Sequence, residues 1–492
     1  MSTRPLPAGT PAEQGVDASG VHAFLDAIEA APDIEPHSLM IMRHGHLVAS
    51  GWWAPFTPER LHLLYSLSKS FTSTAAGFAA EEGLLRLDDT VISYFPEFEA
   101  DITDPRSRAM LVRHVASMAS GHLAETHERA FRRDREEPVR GFLLTPPDRD
   151  PGSVFAYNQP ATYTLAAIVQ RVSGQSLTEY LRPRLLDPLG IGEVSWIRRR
   201  RESREIGFSG LHAATDAIAR LGQFYLQNGV WEGRQLLSAE WIAEATRVHV
   251  ANDDGTAEAA LSDWQQGYGF QFWKSRHGYR GDGAYGQLCL VLPEHDAVIA
   301  MTAATDQMQE LLDLVWRHLL PAFGEASLPG DQDAALRERL ARLALPPVVA
   351  AATPPERAEA WTAAEFTPAG GTCEDQRSLT EVAVTAGEAG WTVSLIEKDT
   401  RCELRMGATG WTTGAAPVPT AVSGGWTDAD SLHVDVLFLE TPHRLTVICS
   451  LADRTFTARW HTTPLHGGPL SSLRAPAQGK EQESPEGART TV

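Results

Sequence analysis

Apolar residues recur at helical spacing through positions 16–31, with Val21, Phe24, Leu25 and Ile28 on one face. The pattern then changes to the unbroken run Leu39-Met40-Ile41-Met42, which predicts a short buried strand. His44-Gly45 supplies a turn and Leu47-Val48-Ala49 a returning strand, so a hairpin follows the first helix. Strand patterns reappear only at 267–273, 288–292 and, after the turn Pro293-Glu294-His295-Asp296, at 297–302. The middle of the chain reads as helical. One helix over 66–82 ends at Gly83 and another over 162–172 ends at Gly174, each with glycine just past the C-terminus. Ser176 and Glu179 have capping-box spacing for a third helix, and 308–320 closes the unit. Strands at both ends of a helix-rich middle predict an α+β domain over 1–325.

After position 325 the texture changes. A short amphipathic segment at 334–345 runs into Pro346-Pro347 and an Ala/Pro-rich stretch, so 326–358 reads as a linker with a short helix. From 359 to 474 short alternating segments (391–395, 432–439, 444–450, 455–460) are divided by glycine turns, which predicts a smaller antiparallel β domain at the C-terminal side. Its tryptophans Trp391, Trp411, Trp426 and Trp460 are read as filling a small core. The tail, 475–492, lacks apolar periodicity and is expected to be disordered.

The 492 residues allow two to four domains, and 43% hydrophobic content is enough for sizeable cores. A net charge of −20 argues against nucleic acid or an anionic membrane surface as partner. No apolar run suggests a signal peptide or a membrane span, so the expected location is cytoplasmic. Cys289, Cys373, Cys402 and Cys449 are too scattered for a zinc pattern or a disulfide framework. His122 with His127, and His44 with His46, have no zinc-site company and are read as ordinary polar or packing residues.

Only four lysines stand against 39 arginines, which makes the setting of any lysine informative. In Tyr65-Ser66-Leu67-Ser68-Lys69-Ser70, Ser66 and Lys69 are three apart and share one face of the helix they begin. A serine hydroxyl is a poor nucleophile until a base takes its proton, and a neutral lysine beside it can do so. Free N–H groups at a helix start also favour the oxyanion that forms when serine attacks a carbonyl.

Several ordered segments between positions 15 and 323 then accumulate. They are the Ser66-to-Lys69 motif running into Phe71-Thr72-Ser73, the stretch 82–89, Arg113-His114-Val115-Ala116-Ser117 leading to His122, Pro151-Gly152-Ser153 leading to Tyr157-Asn158, Asp187-Pro188-Leu189-Gly190-Ile191, and Gly207-Phe208-Ser209-Gly210-Leu211. With these the sequence resembles the serine β-lactamase and penicillin-binding-protein superfamily, in particular its class C-like branch of esterases, D-amino-acid peptidases, amide hydrolases and acyltransferases. The resemblance implies a β-lactamase-like antiparallel sheet with a helical subdomain. It also implies Ser66 as the acylated nucleophile, Lys69 as its activating partner and Tyr157 as the group exchanging a proton with serine and leaving group. A phenol can act as base there only if positive charge such as Lys69 stabilises the phenolate.

Two departures from the family pattern bear on substrate. Where the pattern is Tyr-x-Asn, this chain has Tyr157-Asn158-Gln159, so Gln159 is expected to reach Lys69 or the substrate carbonyl, with Asn158 as the lesser substitute. Where the family carries Lys-Thr-Gly or His-x-Gly, this chain has Arg280-Gly281-Asp282-Gly283-Ala284-Tyr285-Gly286-Gln287. Asp282 would repel an anion and attract an ammonium group, which argues against β-lactamase activity. The second oxyanion-hole N–H is expected from this strand, among positions 283–287, with Gly283 and Ala284 as substrate-binding candidates. The expected activity is a serine hydrolase acting on a small ester, amide or peptide through an acyl-enzyme, with no metal and no organic cofactor. An acyltransferase or peptide-cyclising thioesterase would use the same intermediate, and a catalytically silent binding protein is the reading from a different class. The terminal domain is expected either to cover the active-site mouth or to mediate homo-oligomer formation.

Overall fold

The computed structural model describes residues 4–199, 204–325, 327–354, 356–388, 390–398, 400–407 and 409–476. The expected disordered tail lies, from position 477 onward, outside the described residues. The central sheet is formed by β1 (Glu35–Arg43), β2 (His46–Trp52), β3 (Trp273–Lys274), β4 (Tyr279–Gly283), β5 (Gln287–Leu292) and β6 (Ala297–Ala304), in the order β2-β1-β6-β5-β4-β3 with antiparallel pairing throughout. The hairpin turn at His44-Gly45 adopts positive φ at both residues, as a tight two-residue connection requires. Of the expected strand at 267–273 only its end is regular, since β3 begins at Trp273.

Successive strand residues face opposite sides, and both sides are buried. Leu39, Ile41, Leu288, Leu290, Ile299 and Met301 join a core with helix α1 (Ala18–Ala30) and the helix Met308–Leu314. Their neighbours Met40, Met42, Cys289, Val291, Val298 and Ala300 join a second, larger core with the helical subdomain. This explains why the strands read as continuous apolar runs rather than alternating ones.

The segment read as a linker is instead part of the fold. Its helix, Asp333–Leu340, contributes Leu336 and Leu340, and the chain beyond contributes Leu343 and Leu345, to the first of these cores. Leu343 and Ala54 then pair through the Ala54 N–H and the Leu343 carbonyl (2.9 Å). Apolar side chains at four positions along a short stretch are enough to fix it against β2.

The terminal domain is a nine-stranded sheet running in space from Thr400–Arg405 through Gly390–Glu397, Leu379–Gly387, Ala363–Pro368, Thr455–Trp460, His443–Ser450, Ser431–Phe438 and Thr420–Trp426 to Thr412–Gly414. Its pairing is antiparallel except where Thr367 and Pro368 meet Thr455 and Phe456 in parallel. One interior cluster collects Trp361, Phe366, Val382, Leu395, Leu404, Val422, Trp426, Val434 and Val447. Trp426 meets Trp361 and Trp391 edge-on, which supports the reading of these rings as core.

Candidate active site

Ser66 lies in a single 3-10 turn, Tyr65–Leu67, that leads directly into helix α2 (Ser68–Glu81). Tyr65 immediately before it has φ +46°, a left-handed conformation that costs a bulky residue roughly 1–3 kcal/mol. The first turn of α2 is latched to the segment 207–211. The Ser68 hydroxyl accepts from the Leu211 N–H (3.0 Å), and the Thr72 hydroxyl donates to the Gly207 carbonyl (2.8 Å). This latch carries the Phe208 carbonyl to Lys69.

Lys69 is 1% exposed. Its Nζ stands 3.0 Å from Ser66 Oγ, 2.6 Å from Gln159 Oε1 and 2.8 Å from the Phe208 carbonyl oxygen. Burial lowers its pKa to about 7, against a smaller upward pull from Glu125 and Asp282. A neutral amine has two N–H bonds and one lone pair. With both N–H bonds directed at Gln159 and Phe208, the lone pair is left for the Ser66 hydroxyl.

Tyr157 completes the group from the other side. Its ring faces Lys69 Nζ (4.7 Å to the centroid) and stacks on Trp273 (5.2 Å between centroids), with Tyr268 edge-on. Burial raises its pKa well above the usual phenol value, the Ser66 hydroxyl opposing this. The surroundings therefore favour the protonated phenol over the phenolate.

Gln159 opens the helix Gln159–Ser173 and reaches Lys69, as one of its two expected roles requires. Asn158 does not stand with it. It is fully buried, and its Oδ1 accepts from the Thr126 N–H (3.2 Å) and hydroxyl (2.8 Å), so it braces the 120s loop instead of facing substrate.

The strand β4 passes close beside the serine because it carries glycine where the turn approaches. A Cβ on Gly283 would stand 2.1 Å from the Leu64 carbonyl oxygen, and one on Gly281 2.3 Å from Leu67 Cδ1. Ala284 follows as the first residue beyond the Gly283–Gln287 pair. Asp282 is not the free anion its sequence position suggests. It is 8% exposed and accepts from Arg280 Nε at 2.7 Å. Arg280 is itself fully buried, donating to the Asp263 carbonyl and the Ser275 hydroxyl and lying over the rings of Trp264 and Trp273. An arginine two positions away on a strand shares a face with Asp282, so alternation could have revealed the pair.

Glu125 belongs to the site without any sequence motif to mark it. It is solvent-exposed, accepts from the backbone N–H of Gln159 (3.1 Å) and of His127 (2.9 Å), and bears on the charge of Lys69. The Phe208 carbonyl is a backbone atom and leaves no residue-type signal at all. His122 bonds the Ser120 hydroxyl through Nδ1 (3.0 Å) and donates from Nε2 to the Thr145 carbonyl (2.9 Å).

Residues 24–322 match the family model described as Beta-lactamase. The chain is similar to the 6-aminohexanoate-dimer hydrolase of Paenarthrobacter ureafaciens, 27% identical over 299 residues, which cover 56% of this chain and 76% of that one. It is also similar to the lovastatin esterase of Penicillium rubens, 26% identical over 199 residues, covering 36% and 50% respectively. Among solved structures, a Bacillus anthracis protein named for 6-aminohexanoate-dimer hydrolysis superposes with a TM-score of 0.51 at 21% identity, over 66% of this chain and 90% of that one. A Bacteroides dorei protein named for β-lactamase does so with 0.52 at 15% identity, over 62% and 99%. These two likenesses establish the fold. Since the family match runs through more than half of the chain and spans every residue around Ser66 described above, the protein belongs to the Beta-lactamase family.

Proposed function

We propose that this protein is a serine hydrolase that cleaves a small ester or amide through an acyl-enzyme on Ser66, and that it is not a β-lactamase. The observation that carries this reading is Lys69, buried with neutral oxygen partners among the described residues and with its pKa brought to about 7. A base poised near the working pH is effective because it is both available and able to hold the proton it takes.

In this reading Lys69 accepts the proton of Ser66 as Oγ attacks the substrate carbonyl. We assign the developing oxyanion to the N–H of Ser66 and, from the 283–287 turn, to that of Ala284, which packs against the Leu63 and Tyr65 cluster beside the serine. Tyr157, kept as a phenol, gives a proton to the leaving atom and is reprotonated from the Lys69 side. Water then attacks the ester on Ser66 with the same groups acting in reverse. Two features argue against an anionic substrate: Glu125 is an exposed carboxylate acting on Lys69, and the cation of β4, Arg280, is already matched by Asp282.

The test is to incubate the protein and Ser66→Ala with a fluorophosphonate and with short-chain p-nitrophenyl esters, following intact mass and nitrophenol release. One adduct and turnover, both lost in the variant, are expected. Unmodified, inactive wild-type protein would overturn the reading. Adding an amine or alcohol acceptor distinguishes hydrolysis from acyl transfer by the product formed.

A further inference from the structure

Behind the nucleophile, apart from the three large cores, lies a small cluster formed by Leu63, Tyr65, Tyr285 and the flank of Ala284. Tyr65 directly precedes Ser66, and Tyr285 directly follows Ala284. Both tyrosines are buried and both hold a left-handed backbone, φ +46° and +68°. No glycine relieves either position, so something else must hold these conformations in place.

The holding contacts come from the terminal domain. The Tyr65 hydroxyl is 2.6 Å from His443 Nε2, and His443 Nδ1 is 2.8 Å from the Thr462 carbonyl oxygen. A carbonyl can only accept, so Nδ1 carries the hydrogen and Nε2 is left as the acceptor for the Tyr65 hydroxyl. The Tyr285 hydroxyl donates to the Thr463 carbonyl, one residue further along the same segment. The rings of Tyr65, Tyr285 and His443 are mutually edge-on, with centroids 5.4–5.8 Å apart. The segment continues past the site, where His466 meets the Ser209 hydroxyl (3.2 Å) beside the Phe208 carbonyl that serves Lys69. It is also tied to the central sheet by His461, whose Nε2 reaches the Ala304 carbonyl (3.3 Å).

We infer that the terminal β domain positions the oxyanion hole in cis, through a Tyr65–His443 tether behind the Ser66 N–H and a Tyr285–Thr463 tether behind the Ala284 N–H. Tyr65, Tyr285 and His443 are positioning residues: they touch no reacting atom and act by fixing the two peptide units whose N–H groups converge on the carbonyl oxygen. The inference rests on the proposed acyl-enzyme reading and adds to it a role for the terminal domain. An N–H displaced by a fraction of an ångström binds the substrate carbonyl almost as before but fits the transition-state oxyanion less well.

The experiment uses full-length protein and a p-nitrophenyl ester that the wild type turns over. Tyr65→Phe, His443→Gln and Tyr285→Phe are each expected to lower kcat by about 10–100-fold, a fraction of the loss on deleting an oxyanion donor outright. KM is expected to stay within about threefold, and labelling by the fluorophosphonate, whose oxygen occupies the same hole, to slow in parallel. Tyr65→Phe combined with His443→Gln should be no worse than His443→Gln alone, because the Tyr65–His443 bond is already absent in that variant. Wild-type kcat in Tyr65→Phe and in Tyr285→Phe, with melting unchanged, would overturn the inference. So would a rise in KM with kcat intact, or additive losses in the double variant. If His443→Gln fails to fold, the two tyrosine variants, which keep ring and volume, decide the matter. Turnover that survives in Ser66→Ala would instead bring down the acyl-enzyme reading, whereas a dead Ser66→Ala beside an unimpaired Tyr65→Phe removes only the tether.

Discussion

The two flanks of the Ser66 cleft each bury a cation, and they treat it in opposite ways. On the strand flank Arg280 is matched by Asp282 at 2.7 Å, bonded to further oxygens and covered by two tryptophan rings. On the helix flank Lys69 is just as hidden, yet its bonded partners are a hydroxyl, an amide and a backbone carbonyl. A guanidinium cannot lose its proton in a protein, so burying it demands a carboxylate. An ammonium can lose its proton, and burial without a bonded carboxylate makes it do so near neutrality. One buried cation is thereby a structural element and the other a base.

The comparison can be broken or sharpened by experiment. Removing the nucleophile is the largest expected change: Ser66→Ala should lower kcat/KM by roughly 10⁴-fold or more, measured as ester turnover. Lys69→Arg keeps a positive charge but installs a group that cannot act as base, so a loss of about 10³-fold is expected. Retained activity in that variant would mean that charge, and not proton transfer, is what Lys69 supplies. Asp282→Asn should act mainly on stability, leaving Arg280 uncompensated and lowering the unfolding free energy by about 3 kcal/mol, read by denaturant melts.

The pH profile comes next in size. Lys69 must be neutral to take the serine proton, so kcat/KM should fall tenfold per pH unit below about 7, its pKa in the fold. Glu125 raises that value, so Glu125→Gln should move the acid limb to lower pH, the smallest of these effects. A shift to higher pH would show that Glu125 acts otherwise than through Lys69.

Much of this arrangement was legible in the sequence where a residue type carries its own chemistry. Ser66 and Lys69 stood out because lysine is rare in this chain and the i, i+3 spacing joins them on one helix face. The capping box of Ser176 and Glu179 forms as read, with the Ser176 N–H on Glu179 (2.9 Å) and the Glu179 N–H on Ser176 (3.2 Å). What stayed hidden depends on the fold bringing distant or backbone groups together. The Phe208 carbonyl is invisible in a list of side chains, Asn158 and Gln159 differ only in which way the chain turns, and Asp282 changes character because Arg280 shares its face. In the 326–358 segment the amphipathic spacing of Leu336, Leu340 and Leu343 marks a helix, but not the surface it covers, which only the packing against β2 and α1 shows.

The Tyr65–His443 bond joins positions 378 residues apart. During synthesis from the N-terminus, the serine, its lysine and the whole central sheet leave the ribosome long before His443 does. A chain stopped ahead of that point carries every reacting group and lacks the tie behind them. The order of translation thus makes the terminal β domain, which emerges after every reacting group, the part that finishes the site.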